Sequence, residues 1–82
     1  MSAETYMITS PLMGTFYSAP APGEKPFVEI GQRVNATDVV CVIESMKIFT
    51  ELRTDKAGTI KRILVTNEDA VMKKQALIEI EI

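Results

Sequence analysis

With 82 residues, the chain has room for one small core, because a chain of this size buries only roughly 60% of its unfolded surface. Hydrophobic residues make up 46% and charged residues 24%, which is globular usage and excludes a disordered polyelectrolyte. Eleven acidic against nine basic side chains leave a net charge of -2, so the positive field that draws nucleic acid is missing; no run nears the roughly 18 apolar residues of a membrane span.

There is no His, and Cys41 is the single Cys. That removes the commonest general base, Ser-His and Cys-His nucleophiles, and His or Cys metal frameworks, so neither catalytic residues nor metal ligands are assigned. No apolar signal stretch follows Met1-Ser2-Ala3-Glu4, and with a lone thiol a reducing, cytosol-like compartment is expected. The chain has little to offer as an enzyme acting alone.

In chain order, residues 1–7 are expected to be an N-terminal extension carrying the start of a first strand, with one domain over 8–82. Val39 to Ile43 is a continuous, largely β-branched run and reads as a strand. Glu44-Ser45-Met46-Lys47 follows as a tight hairpin leading into a strand over Ile48 to Leu52. Ile60 to Val65 is a further strand, and Ile78, Ile80 and Ile82 alternate with Glu79 and Glu81 as if one face were buried and the other wet. Turn signals recur at Ser10-Pro11, Gly14, Pro20 to Pro26, Gly31, Asn35, Asp55, Gly58 and Asn67, and no sustained helical stripe appears. The reading is all-β, with Cys41 as a small core hydrophobe and Phe16, Tyr17, Phe27 and Phe49 as core aromatics.

The chain also repeats. Residues 28–44 align with 65–81 at a constant offset of 37, matching Val34 to Val71, Val40 to Leu77 and Ile43 to Ile80. Gly14-Thr15 and Gly58-Thr59 correspond at an offset of 44, so the first half carries seven extra residues between Tyr17 and Phe27. Two similar half-sheets related by a pseudo-two-fold axis would each leave an apolar face, and packing those faces together gives one shared core.

A tight hairpin normally uses Asn-Gly, Asp-Gly or Gly-X, because positive φ is costly for residues with a Cβ. Met46-Lys47 breaks that rule, and such breaks fall at functional or strained sites. Glu44-Ser45-Met46-Lys47 resembles the Glu-Ala-Met-Lys motif of biotin carboxyl carrier domains. The resemblance extends to the opening segment Ser10 to Tyr17, to Gly31-Gln32 with Val34, and to Gly58-Thr59-Ile60, covering the chain from about Ile8 to Ile82. Ser45 stands where the family most often has Ala, and Ile48 where it often has Met; neither departure touches the Met-Lys pair.

The resemblance implies a flattened barrel or sandwich of two four-stranded antiparallel sheets, with biotin attached by an amide to Lys47 and with Met46, Glu44 and Ser45 serving motif and ligase recognition. It also implies the partners: a biotin protein ligase, a biotin carboxylase and a carboxyltransferase, without nucleic acid or membrane, in a bacterial cytoplasm or plastid stroma. Ser18, Ala19, Pro20, Ala21, Pro22, Gly23, Glu24, Lys25 and Pro26 hold three Pro and one Gly in nine residues and read as a stiff surface loop. By resemblance this loop matches the thumb of carriers of acetyl-CoA carboxylase, which serve the first step of fatty acid synthesis, and proline rigidity would lower the cost of ordering it beside the biotin ring.

Three alternatives stay open: a carrier of another biotin-dependent carboxylase, a lipoyl-type acyl carrier, and an unmodified scaffold. Asp55-Lys56-Ala57 superficially resembles the lipoyl motif, but Lys56 lies two residues before Gly58, whereas Lys47 has the family's spacing. Glu44 and Glu51 flank the hairpin and are read as solvated, or as ligase-recognition, carboxylates.

Overall fold

The computed structural model describes residues 4–82; Met1, Ser2 and Ala3 of the expected N-terminal extension lie outside the described residues. Eight strands follow in order: β1 (Thr5–Thr9), β2 (Gly14–Tyr17), β3 (Arg33–Val34), β4 (Val39–Ser45), β5 (Ile48–Arg53), β6 (Gly58–Ile63), β7 (Ala70–Val71) and β8 (Ala76–Glu81). They pair antiparallel into two four-stranded sheets, ordered β1-β8-β6-β3 and β5-β4-β2-β7. The sheets pack face to face as a flattened sandwich rather than closing into a barrel, and the molecule measures 43 × 26 × 20 Å.

The internal repeat is written into the hydrogen bonds. Asn35 N–H donates to Asp38 Oδ2 and Met72 N–H to Gln75 Oε1, both pairs related by 37 residues. Glu29 N–H to Gln32 Oε1 and Thr66 N–H to Asp69 Oδ2 form a second such pair. Ser10 Oγ donates to the Leu12 carbonyl and Thr54 Oγ1 to that of Lys56, each at 2.6 Å, 44 residues apart. Each sheet is therefore one copy of a common frame, with β4 matched to β8 and β2 to β6 as its inner strands.

The core draws Val40, Cys41 and Ile43 from β4, Leu77, Ile78 and Ile80 from β8, and Phe16 and Ile60 from β2 and β6, all buried. Register shifts between Val39 and Cys41 and between Ile60 and Arg62 add a residue to one strand of each pair, which explains why the β4 run is apolar without strict alternation. Cys41 is fully buried, and that burial pushes its thiol up to about 12, leaving it inert at neutral pH.

Three sequence expectations are corrected here. Glu79 is not on a wet face: it is 7% exposed, and Arg62 Nε donates to its Oε1 at 2.6 Å, holding the carboxyl below its usual range. Ile82 is exposed, lying past the end of β8. Gly14 and Gly58 begin strands rather than marking turns. A Cβ on Gly14 would run into the Glu44 carbonyl oxygen, and one on Gly58 into that of Glu81, positions that the repeat also relates by 37. Close approach to a neighbouring backbone is why both are glycine. Gly58→Ala is expected to cost about 1–3 kcal/mol, read as a lowered midpoint in urea unfolding with an unchanged slope.

Candidate functional site

β4 and β5 are joined by two residues, since Ser45 pairs with Ile48 and only Met46 and Lys47 lie between. Both have positive φ, 52° and 65°, the pattern of a type I′ turn. The right-handed twist of the flanking strands demands this turn, although neither residue is the Asn or Gly that adopts it without strain. The Lys47 N–H donates to Glu44 Oε2 at 3.0 Å, so the first residue of the motif clamps the backbone of the last. Met46 is 91% exposed and Lys47 is exposed, so Met46 fills no core, and among the described residues no ion pair engages the Lys47 ammonium. The result is a primary amine on a four-carbon stem at the tip of a rigid hairpin.

Lys56 sits at the other end of β5. Its carbonyl accepts the Thr54 hydroxyl, and its ammonium lies 5.9 Å from the centroid of the Tyr6 ring, whose hydroxyl donates to Asp55. Burial, then the Asp55 carboxylate, raises the Tyr6 phenol above its ordinary value. Lys56 thus belongs to a local turn network.

The proline-rich segment 18–26 leaves β2 at Tyr17 and folds over the outer face of β4 and β5. Its base is closed by the Phe27 N–H donating to the Ser18 carbonyl at 2.8 Å and is tied down by the Ser18 N–H donating to Asn67 Oδ1 at 2.9 Å. Its tip turns at Pro22-Gly23, with φ of 81° at Gly23 and the Glu24 N–H donating to the Ala21 carbonyl, as in a type II turn. Between this loop and the sheet runs a groove of about 1000 Å³ lined by Tyr17, Pro20, Pro22, Val42, Phe49 and Glu51, among others.

Phe49 corrects the expectation of a core aromatic: it is 65% exposed, and its ring lies 6.2 Å from that of Tyr17, itself only half-buried. Leu52 packs on the core and Phe49, three residues away along β5, therefore points outward. The signal was present, because a two-residue turn pairs Phe49 with Glu44 and sends both to the outer face. Phe27 is half-buried against the core, and Phe16 is fully buried. Glu51 lies on that outer face opposite Val42, pairs with Arg53 at 3.0 Å, and is not adjacent to Glu44.

The family model described as "Biotin-requiring enzyme", covering biotin- and lipoyl-type domains, matches residues 7–81, and the chain belongs to that family. Among curated proteins it is 43% identical over 93% of its length to the biotin carboxyl carrier protein of acetyl-CoA carboxylase of Haemophilus influenzae. It is 49% identical over 90% to the protein of that description in Porphyra purpurea, and 47% identical over 70% to a chloroplastic one of Arabidopsis thaliana. The chain spans 49%, 47% and 22% of those three proteins, half their length or less. Among solved structures, urea carboxylase of Kluyveromyces lactis contains a segment that superimposes with a TM-score of 0.78 at 26% identity, covering 98% of this chain and 6% of that one. No helix among the described residues is long and apolar enough to cross a membrane.

The strain at the tip is measurable. Met46→Asn, which tolerates positive φ, is expected to raise unfolding free energy by roughly 1 kcal/mol. Equal or lower stability would show that the turn carries no such cost.

Proposed function

We propose that this chain is the biotin carboxyl carrier domain of an acetyl-CoA carboxylase and that Lys47 is its attachment residue. The observation that carries the reading is the type I′ turn, which holds Lys47 exposed at a tip where neither turn residue relieves backbone strain. Lys47 Nζ, once deprotonated in the ligase site, would form an amide with the biotin carboxyl group activated by ATP as an acyl-adenylate: the C–N bond forms as the C–O bond to AMP breaks, AMP leaves, and the two protons lost from the ammonium pass to base and solvent in the ligase site. The bound group supplies a ureido ring that takes up and gives up a carboxylate, and the chain's own residues only present it.

The groove beneath 18–26 fits such a group: Tyr17, Phe49, Pro20 and Pro22 offer apolar walls, and Glu51 and Asn67 add polar edges. Ser18 to Pro26 act as a thumb within a carrier domain over 8–82, and the segment before it supplies the start of the first strand at Thr5. Glu44 fixes the turn from below, and Ser45 and Met46 complete the surface the ligase meets.

The domain is non-catalytic and serves a multisubunit enzyme. A biotin protein ligase modifies it, a biotin carboxylase loads it and a carboxyltransferase unloads it toward acetyl-CoA. Tethering keeps the carried group at an effective concentration of order mM at both sites, which is the reason for a carrier without chemistry of its own. The setting is bacterial cytoplasm or plastid stroma, in keeping with bacterial and chloroplastic relatives. Met46 beside Lys47 and the thumb favour biotin over lipoate.

Incubation with ligase, biotin and ATP is expected to add one biotinyl group by intact mass to the unaltered chain and to Lys56→Arg, and none to Lys47→Arg. Addition to Lys47→Arg would remove Lys47 from the role.

A further inference from the structure

The pseudo-two-fold axis places an internal control at the far end of the molecule. The hairpin end of the sheet β5-β4-β2-β7 corresponds to the end of the other sheet where the chain termini meet, with the Ile82 N–H donating to the Glu4 carbonyl. Matched positions carry different side chains. Ile48 at the hairpin end stands where the other end has Glu4, Met13 where it has Ala57, and Met72 where it has Asn35. The next two residues, Lys73 and Lys74, stand where the other end has Ala36 and Thr37.

The backbone does not ask for these differences. Asn35 and Met72 make the same N–H to side-chain bond three residues on, and Thr37 and Lys74 have φ of 75° and 71°. The apolar residues at the hairpin end are not buried either: Met13 and Met72 are each 61% exposed, Ile48 is 68% exposed and Met46 is 91% exposed. Gly14 pairs with Val71, so Met13 and Met72 each stand one residue beyond that pair, on the side of the hairpin tip. Exposed Met13 and Met72 thus lie at the hairpin end of the sheet that presents Lys47, with Lys73 and Lys74 following Met72 in the chain.

We infer that Met13 and Met72, together with Lys73 and Lys74, are the docking surface for the ligase that forms the amide at Lys47, and that this ligase meets them with an apolar floor and an acidic rim. The inference rests on Lys47 being the attachment residue. The ligase is the occupant because its reacting atom is Nζ, only four methylenes from the turn backbone, so its active site must come down onto the end of the sheet. Enzymes that act on the far end of the attached group work a full arm's length away. Unbranched methionines suit a transient partner surface because they repack without strain, and the two lysines add a salt-sensitive contribution to encounter.

The test transplants the opposite end onto this one. Met13→Ala with Met72→Asn, and separately Lys73→Ala with Lys74→Thr, install residues that the same backbone already accepts at Ala57, Asn35, Ala36 and Thr37. Steady-state biotinylation by the biotin protein ligase is expected to show KM for the carrier raised about tenfold or more in the methionine variant with kcat unchanged. The lysine variant is expected to flatten the salt dependence of kcat/KM. Ile82→Ser, which removes exposed apolar surface from the other end, should match the unaltered chain. Methionine-variant kinetics within twofold of the unaltered chain, with biotin still on Lys47, would overturn the surface and leave the carrier reading standing. Absence of biotin from Lys47 in the unaltered chain would overturn both. Thermal unfolding of each variant identifies any loss due to misfolding, and in that event the single Met72→Asn change is the deciding comparison.

Discussion

Neither four-stranded sheet can cover its own inner face, and the structure depends on the two faces burying one another. Both central strands contribute consecutive buried residues to that contact, Val40, Cys41 and Ile43 from β4 against Leu77, Ile78 and Ile80 from β8. Fully burying a side chain of this size stabilises by roughly 1.5–3 kcal/mol, so the shared layer outweighs any surface ion pair in the molecule. Because the layer is symmetric, it fixes two equivalent ends. Chain continuity then makes them unequal: at one end β4 must turn into β5, and at the other the termini come together.

That inequality is where function enters. Two residues must reverse the chain, the strand twist requires positive φ at both, and the sequence spends Met46 and Lys47 there instead of Asn and Gly. The firmly packed β4 below and the Glu44 carboxylate bonded to the Lys47 N–H hold the turn in place. A free lysine elsewhere in the chain has no such mount. Lys56, tied into the Thr54 and Tyr6 network at the other end of β5, shows the difference. Added to this frame is the 18–26 loop, seven residues longer than its counterpart in the repeat, which converts the outer face over Val42 into a groove.

Much of this was legible in the sequence. The offsets of 37 and 44 gave the symmetry, and the seven-residue excess located the loop, because a repeated backbone needs the same turn lengths in both copies. The missing Gly at the hairpin drew attention to Met46-Lys47, and the resemblance of Glu44-Ser45-Met46-Lys47 to the carrier motif made Lys47 the proposed attachment residue. What misled was burial read from periodicity alone. Phe49 counts as a strand aromatic in any local window, and only the pairing of Ser45 with Ile48 shows that it faces outward. Glu79 looks like a wet-face residue until the register opposes it to Arg62. Gly14 and Gly58 look like turns because close approach to a carbonyl on the next strand leaves no mark in a single sequence. In each case the deciding neighbour lies on another strand.

The central claim is that turn geometry, rather than the four-residue motif as such, selects Lys47. Inserting one glycine between Lys47 and Ile48 keeps Glu44-Ser45-Met46-Lys47 contiguous and the buried layer intact while breaking the two-residue turn. Measured as ligase kcat/KM on a chain whose unfolding midpoint is unchanged, modification is expected to fall by about tenfold or more. A rate equal to that of the unaltered chain would contradict the account and place recognition in the residues alone.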